Sequence, residues 1–88
     1  MKNLYSSTQE AIFDVYEDEE SQLYLVAICQ GIAWTRIGVA LTADETLQFR
    51  TSPSSLIGLA RSLCRDFAPY KDRAISEAIQ QQIIDLED

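Results

Sequence analysis

Apolar and polar residues alternate with the two-residue period of strands in the first half of the chain, and beyond residue 52 the period lengthens to that of helices. Residues 11–17 set Phe13 and Val15 against Ile12, Asp14 and Tyr16, which predicts a first strand. Asp18-Glu19-Glu20-Ser21 is a turn, and Leu23–Cys29, apolar on both parities, is an interior strand. Gln30-Gly31 breaks it. Residues 32–41 form a third strand, rich in β-branched and aromatic residues, and residues 46–50 a short fourth after a turn at 42–45.

Ser52-Pro53 has the form of a helix start, and Leu56, Leu59, Ala60, Leu63 and Phe67 recur at helical spacing up to Pro69. Asp72 caps a second predicted helix with the stripe Ile75, Ala78, Ile79, Ile83 and Leu86. Residues 1–10 are polar apart from Leu4 and Tyr5. They read as a flexible or short helical segment, with Ser7 and Glu10 at capping-box spacing. Residues 11–88 then form a single α+β domain. Its expected architecture is a four-stranded antiparallel meander sheet packed on one face by two C-terminal helices, in the order β-β-β-β-α-α.

Register decides which side chains share a face. A two-residue turn at Gln30-Gly31 buries Arg36 beside Leu23, Leu25 and Ala27, at the cost of an unpaired charge in the core. A three-residue loop Cys29-Gln30-Gly31, with Gly31 left-handed, instead joins those residues to Ala33, Thr35, Ile37, Val39 and Leu41. The same logic brings Phe13, Val15, Leu47 and Phe49 to the inner face. The outer face then carries Ile12, Tyr16, Tyr24, Val26, Ile28, Ile32 and Trp34, with Arg36 and Arg50 among them. Two helices cover only one face comfortably, so the other either meets a partner or a second copy, or is covered within the chain by the second helix or the N-terminal segment. Tyr16, Tyr24, Val26, Ile28, Trp34 and Arg36 are the candidate contacts of that face, since Trp, Tyr and Arg dominate interface hot spots.

Composition sharpens this picture. The chain has 88 residues, 47% of them hydrophobic, enough for one modest core. Its formal net charge of −7 opposes direct binding to nucleic acid or to an anionic membrane surface, and no apolar run is long enough to span a bilayer. There is no histidine, so the commonest metal ligand and general acid–base is missing. Gly31, Gly38 and Gly58 are isolated and make no phosphate loop. No catalytic, cofactor or metal site is expected.

The run Glu17-Asp18-Glu19-Glu20 lacks the alternate oxygens and bend glycine of a calcium loop. Arg61, Arg65, Lys71 and Arg73 make the one basic cluster, and Cys64 lies near two of them. With no export signal, Cys29 and Cys64 are expected as free, buried thiols in a reducing cytoplasm. The functional expectation is a small acidic non-catalytic protein (regulator, adaptor or inhibitor) that binds a protein, itself included as a homodimer, through the aromatic sheet face. The alternative is an acidic nucleic-acid mimic that blocks a DNA- or RNA-binding protein through Glu17, Asp18, Glu19, Glu20, Asp44 and Glu45.

Overall fold

The computed structural model describes residues 1–8, 11–29 and 35–87. Its sheet has four antiparallel strands in meander order: β1 (Lys2–Ser7), β2 (Phe13–Glu17), β3 (Leu23–Cys29) and β4 (Thr35–Ala40). Three helices follow: α1 (Ala43–Thr51), α2 (Ile57–Arg65) and α3 (Glu77–Glu87). Short 3-10 turns at Pro53–Leu56 and Ala68–Arg73 precede α2 and α3. The α+β class and the meander sheet hold, but two of the expected segments exchange roles.

The N-terminal segment is a strand, not a flexible or helical lead. Leu4 and Tyr5 are adjacent, yet both pack on the core. A register shift between Asn3 and Tyr5 in the pairing with β2 permits this, because a bulge breaks the two-residue period. The second exchange concerns residues 46–50, which are helical rather than a fourth strand. Thr42 and Glu45 close a capping box: the Thr42 hydroxyl accepts from the Glu45 amide at 3.2 Å, and the Glu45 carboxylate accepts from the Thr42 amide at 2.9 Å. Phe49 is buried as expected, but from a helix, and Leu47 is 66% exposed rather than on the inner face.

The β2–β3 and β3–β4 registers confirm the inner face. Val15 stands opposite Leu25, Leu25 opposite Val39, and Ala27 opposite both Phe13 and Ile37. The hairpin loop differs from expectation. Cys29 belongs to β3 and pairs with Thr35, so it is not part of a turn, while the parity is the expected one. Gly31, Ile32 and Ala33 lie outside the described residues, as does Glu10 of the expected N-terminal capping box.

Leu56, Ala60 and Leu63 from the α2 side and Phe49 of α1 complete this core with Phe13, Val15, Leu23, Leu25, Ala27, Val39 and Leu41. Each large member, fully buried, contributes about 1.5–3 kcal/mol before ordering costs. Ser52-Pro53 opens a 3-10 turn that runs into α2, with no side-chain cap from Ser52. Asp72 sits inside the second 3-10 turn. Ser76 stands before α3 instead, its hydroxyl accepting from the Ile79 amide at 3.3 Å.

The path into α3 sets the layering. Tyr70 packs on the inner core, and Arg73 donates to the Ala40 carbonyl from Nε and Nη2 at 3.2 and 3.1 Å. Ala74 then bridges Val39, and the Ile75 amide donates to the Gly38 carbonyl at 3.2 Å. The chain thus passes the β4 edge at Gly38, where a Cβ would lie 2.5 Å from Cδ1 of Ile75. It emerges on the opposite side, and Ile83 of α3 packs there with Tyr16 and Val26. The expectation of helices on one face only is corrected: α1 and α2 cover one face of the sheet and α3 the other.

The cysteines are also corrected. Cys29 and Cys64 are 35 residues apart in sequence and form a disulfide, with Cα atoms 5.4 Å apart. Local spacing carried no sign of this, because the ends of β3 and α2 meet only once the helix lies on the sheet.

Candidate interaction surface

The six residues expected on an open outer face have separate fates. Tyr16 and Val26 are buried, at 4% and 5% exposure, beneath Ile83, with Met1, Ile75 and Ile79 packed around them. The hydroxyl of Tyr16 reaches Asp14 Oδ2 at 3.4 Å. Tyr24, directly opposite Tyr16 across β2 and β3, is 9% exposed and donates to Asp18 Oδ2 at 2.9 Å. Ile28 is half-buried, its amide donating to the Ile12 carbonyl at 2.9 Å. Arg36 is exposed on β4, and Trp34 lies outside the described residues. The centre of the face is therefore sheltered by the chain itself. The stripe Ile75, Ile79, Ile83 does this at four-residue intervals, whereas Ala78 and Leu86 of the expected stripe are exposed.

Among the described residues, the margin where α3 meets β4 stays open. A groove of about 130 Å³ is lined by Val26, Gly38, Ile75, Ile83 and Ile84, with Arg36 and Gln80 as its polar members. Ile84 is 46% exposed. Helical spacing sets Gln80 and Ile84 on one flank of α3, and both line the groove. Arg36 therefore keeps the surface position expected of it, at the mouth of an apolar groove rather than within an aromatic platform.

The acidic residues divide in the same way. Asp18 shapes the β2–β3 turn: its Oδ1 accepts from the Glu20 and Gln22 amides, both at 2.9 Å, while Oδ2 takes the Tyr24 hydroxyl. Partial burial pushes the Asp18 carboxyl up. The bonds from Gln22, Tyr24 and Glu20 outweigh that and hold it below its ordinary value. Burial first, then the bond to Asp18 and its charge, pushes the Tyr24 hydroxyl up to about 12. Glu17 lies 3.4 Å from Lys2 and 3.5 Å from Arg50. Glu45 caps α1 and pairs with Arg73. Glu19, Glu20 and Asp44 have exposed side chains.

Within the basic cluster, Arg73 is a clamp between the second 3-10 turn, the end of β4 and the start of α1. Its guanidinium carbon lies 5.7 Å from the centre of the Tyr70 ring. Among the described residues no three His, Cys, Asp or Glu side chains gather to hold a metal, and no helix is long and apolar enough to cross a membrane. No family model matches the chain, and no curated protein or solved structure matches it either.

Proposed function

We propose that the chain is a non-catalytic protein-interaction module, that its contact surface is the α3–β4 margin, and that the occupant of that margin is a second copy of the chain. The observation behind this reading is the self-complementarity of the strip. It offers an apolar groove and, beside it, an exposed aliphatic side chain, Ile84. A two-fold axis near Gln80 brings two α3 helices together antiparallel. Ile84 of each copy then enters the groove of the other. The molecule exposes 5618 Å², so a standard interface of about 800 Å² per partner takes roughly a seventh of its surface.

The absence of histidine from the whole sequence supports a non-catalytic role. The nucleic-acid-mimic reading is the weaker one, because Glu17, Asp18 and Glu45 of its six carboxylates are engaged within the fold. The expected cytoplasmic setting carried free thiols as its consequence. The closed disulfide favours an oxidising compartment for the state described.

Sedimentation equilibrium across a wide concentration range tests the proposal. The native chain should show a monomer–dimer equilibrium. Ile84→Asp should abolish it. A native chain that stays monomeric at the highest soluble concentration would refute the reading.

A further inference from the structure

We infer that Arg73 is the positioning residue of the α3–β4 margin, an inference that rests on reading this margin as the self-association surface. Its guanidinium fixes the register in which residues 73–75 lie along β4, and that register sets Ile75 as a wall of the groove. Residues 73, 74 and 75 run antiparallel to 40, 39 and 38. Arg73 donates to the Ala40 carbonyl from Nε and Nη2 at 3.2 and 3.1 Å, Ala74 bridges Val39, and the Ile75 amide donates to the Gly38 carbonyl at 3.2 Å. Ile75 and Gly38 then line the groove together with Val26 and Ile83.

The register is pinned at both ends. At the Ile75 end the pin is shape. A Cβ at position 38 would lie 2.5 Å from Cδ1 of Ile75, so the missing side chain of Gly38 makes the room. A slip by one residue would set Ile75 against Ile37 or Val39, which have no such room. At the Arg73 end the pin is charge. Nη2 also pairs with Oε1 of Glu45, the same oxygen that accepts from the Thr42 amide at 2.9 Å. The capping box of α1 thus holds the carboxylate as a fixed anchor. The side chains of the pair are 27% and 21% exposed, and a charge-assisted bond so sheltered outweighs an ion pair in open solvent.

The role calls for arginine rather than for any cation. One planar fork grips the Ala40 carbonyl with two nitrogens and reaches Glu45 with one of them, while the Tyr70 ring lies 5.7 Å away. A lysine ammonium keeps the charge and loses the fork. A glutamine at position 45 keeps an oxygen for the Thr42 amide and loses the charge. These two changes therefore loosen the Arg73 pin and leave Gly38 and Ile75 untouched.

Amide hydrogen exchange on monomer at high dilution, with sedimentation equilibrium of the full chain, provides the test. Arg73→Lys should accelerate exchange of the Ile75 amide at least about tenfold more than that of the Leu25 amide inside β3. It should also weaken the dimer severalfold. Glu45→Gln should act in the same direction, and the two together should give less than the product of their separate effects, since both loosen one contact. Arg65→Lys, at the exposed end of α2, should change neither readout. Equal acceleration at Ile75 and Leu25 would make Arg73 a general stabiliser and overturn the inference. Fully multiplicative effects, or a dimer of Arg73→Lys as tight as the native one, would overturn it too. A native chain that never dimerises refutes the self-association reading instead, and the exchange comparison on monomer still judges Arg73.

Discussion

At the scale of single residues, the β2–β3 turn concentrates the strongest local chemistry. Asp18 satisfies two turn amides and the hydroxyl of a buried tyrosine with one carboxylate. Asp18→Ala orphans those donors and should cost about 1–3 kcal/mol in denaturant unfolding. The pH dependence has a definite sign. Because the folded Asp18 carboxyl lies below its ordinary 3.8, its stabilisation is complete above that pH and is lost as pH falls through the folded value. Tyr24 behaves oppositely. Its stabilisation is complete below 10.0 and is lost as pH rises towards about 12. Asp18→Asn should flatten the acid limb of the stability curve and bring the Tyr24 titration, followed by phenolate absorbance, back towards 10.0. In the same turn Ser21 holds a left-handed φ of 68°. Ser21→Gly removes the Cβ penalty and should raise stability by about 0.5–1 kcal/mol, measured by thermal melting.

At the scale of elements, helix α1 depends on its ends more than on its packing, since Phe49 is its one buried residue. Thr42→Ala should therefore cost about 1 kcal/mol, and circular dichroism should show loss of helix. The Thr-x-x-Glu spacing at 42–45 was present in the sequence. The alternation of Leu47 and Phe49 masked it, because a helix with one inward residue carries almost no periodicity. β1 was hidden for a related reason: its bulge sends Leu4 and Tyr5 to the same core and erases the strand pattern. Where the pattern is strong the reading succeeds. Leu23–Cys29 is the strand expected, and the inner-face partners of Leu25 and Ala27 follow from the aversion to burying Arg36. At the β4 edge, Gly38 lets Ile75 approach closely as the chain crosses to the outer face. Gly38→Ala should push the Ile75 side chain aside and cost about 1–2 kcal/mol in denaturant unfolding.

At the scale of the whole molecule, side-chain direction alone identified an apolar second face but not what covers it. Ile75, Ile79 and Ile83 were visible as a helical stripe. That they serve the second face depends on the crossing at Gly38 and Val39, a long-range event with no local signature. The disulfide is non-local in the same sense. Closing a 35-residue loop restricts the unfolded chain by roughly 3–4 kcal/mol, so reduction should lower the melting temperature by roughly 10–30 °C. The proposed contact strip lies where α3 meets β4, with Arg36 and Ile84 among the residues that line its groove. Two neighbouring isoleucines on α3 report on this arrangement. Denaturant unfolding of Ile83→Ala and Ile84→Ala, measured on monomer at high dilution, compares a residue 3% exposed against the sheet with one 46% exposed at the rim. The covered face predicts a loss of about 2–4 kcal/mol for Ile83→Ala and less than about 0.5 kcal/mol for Ile84→Ala. Equal small losses, or a larger loss at Ile84, would show that α3 does not roof the sheet.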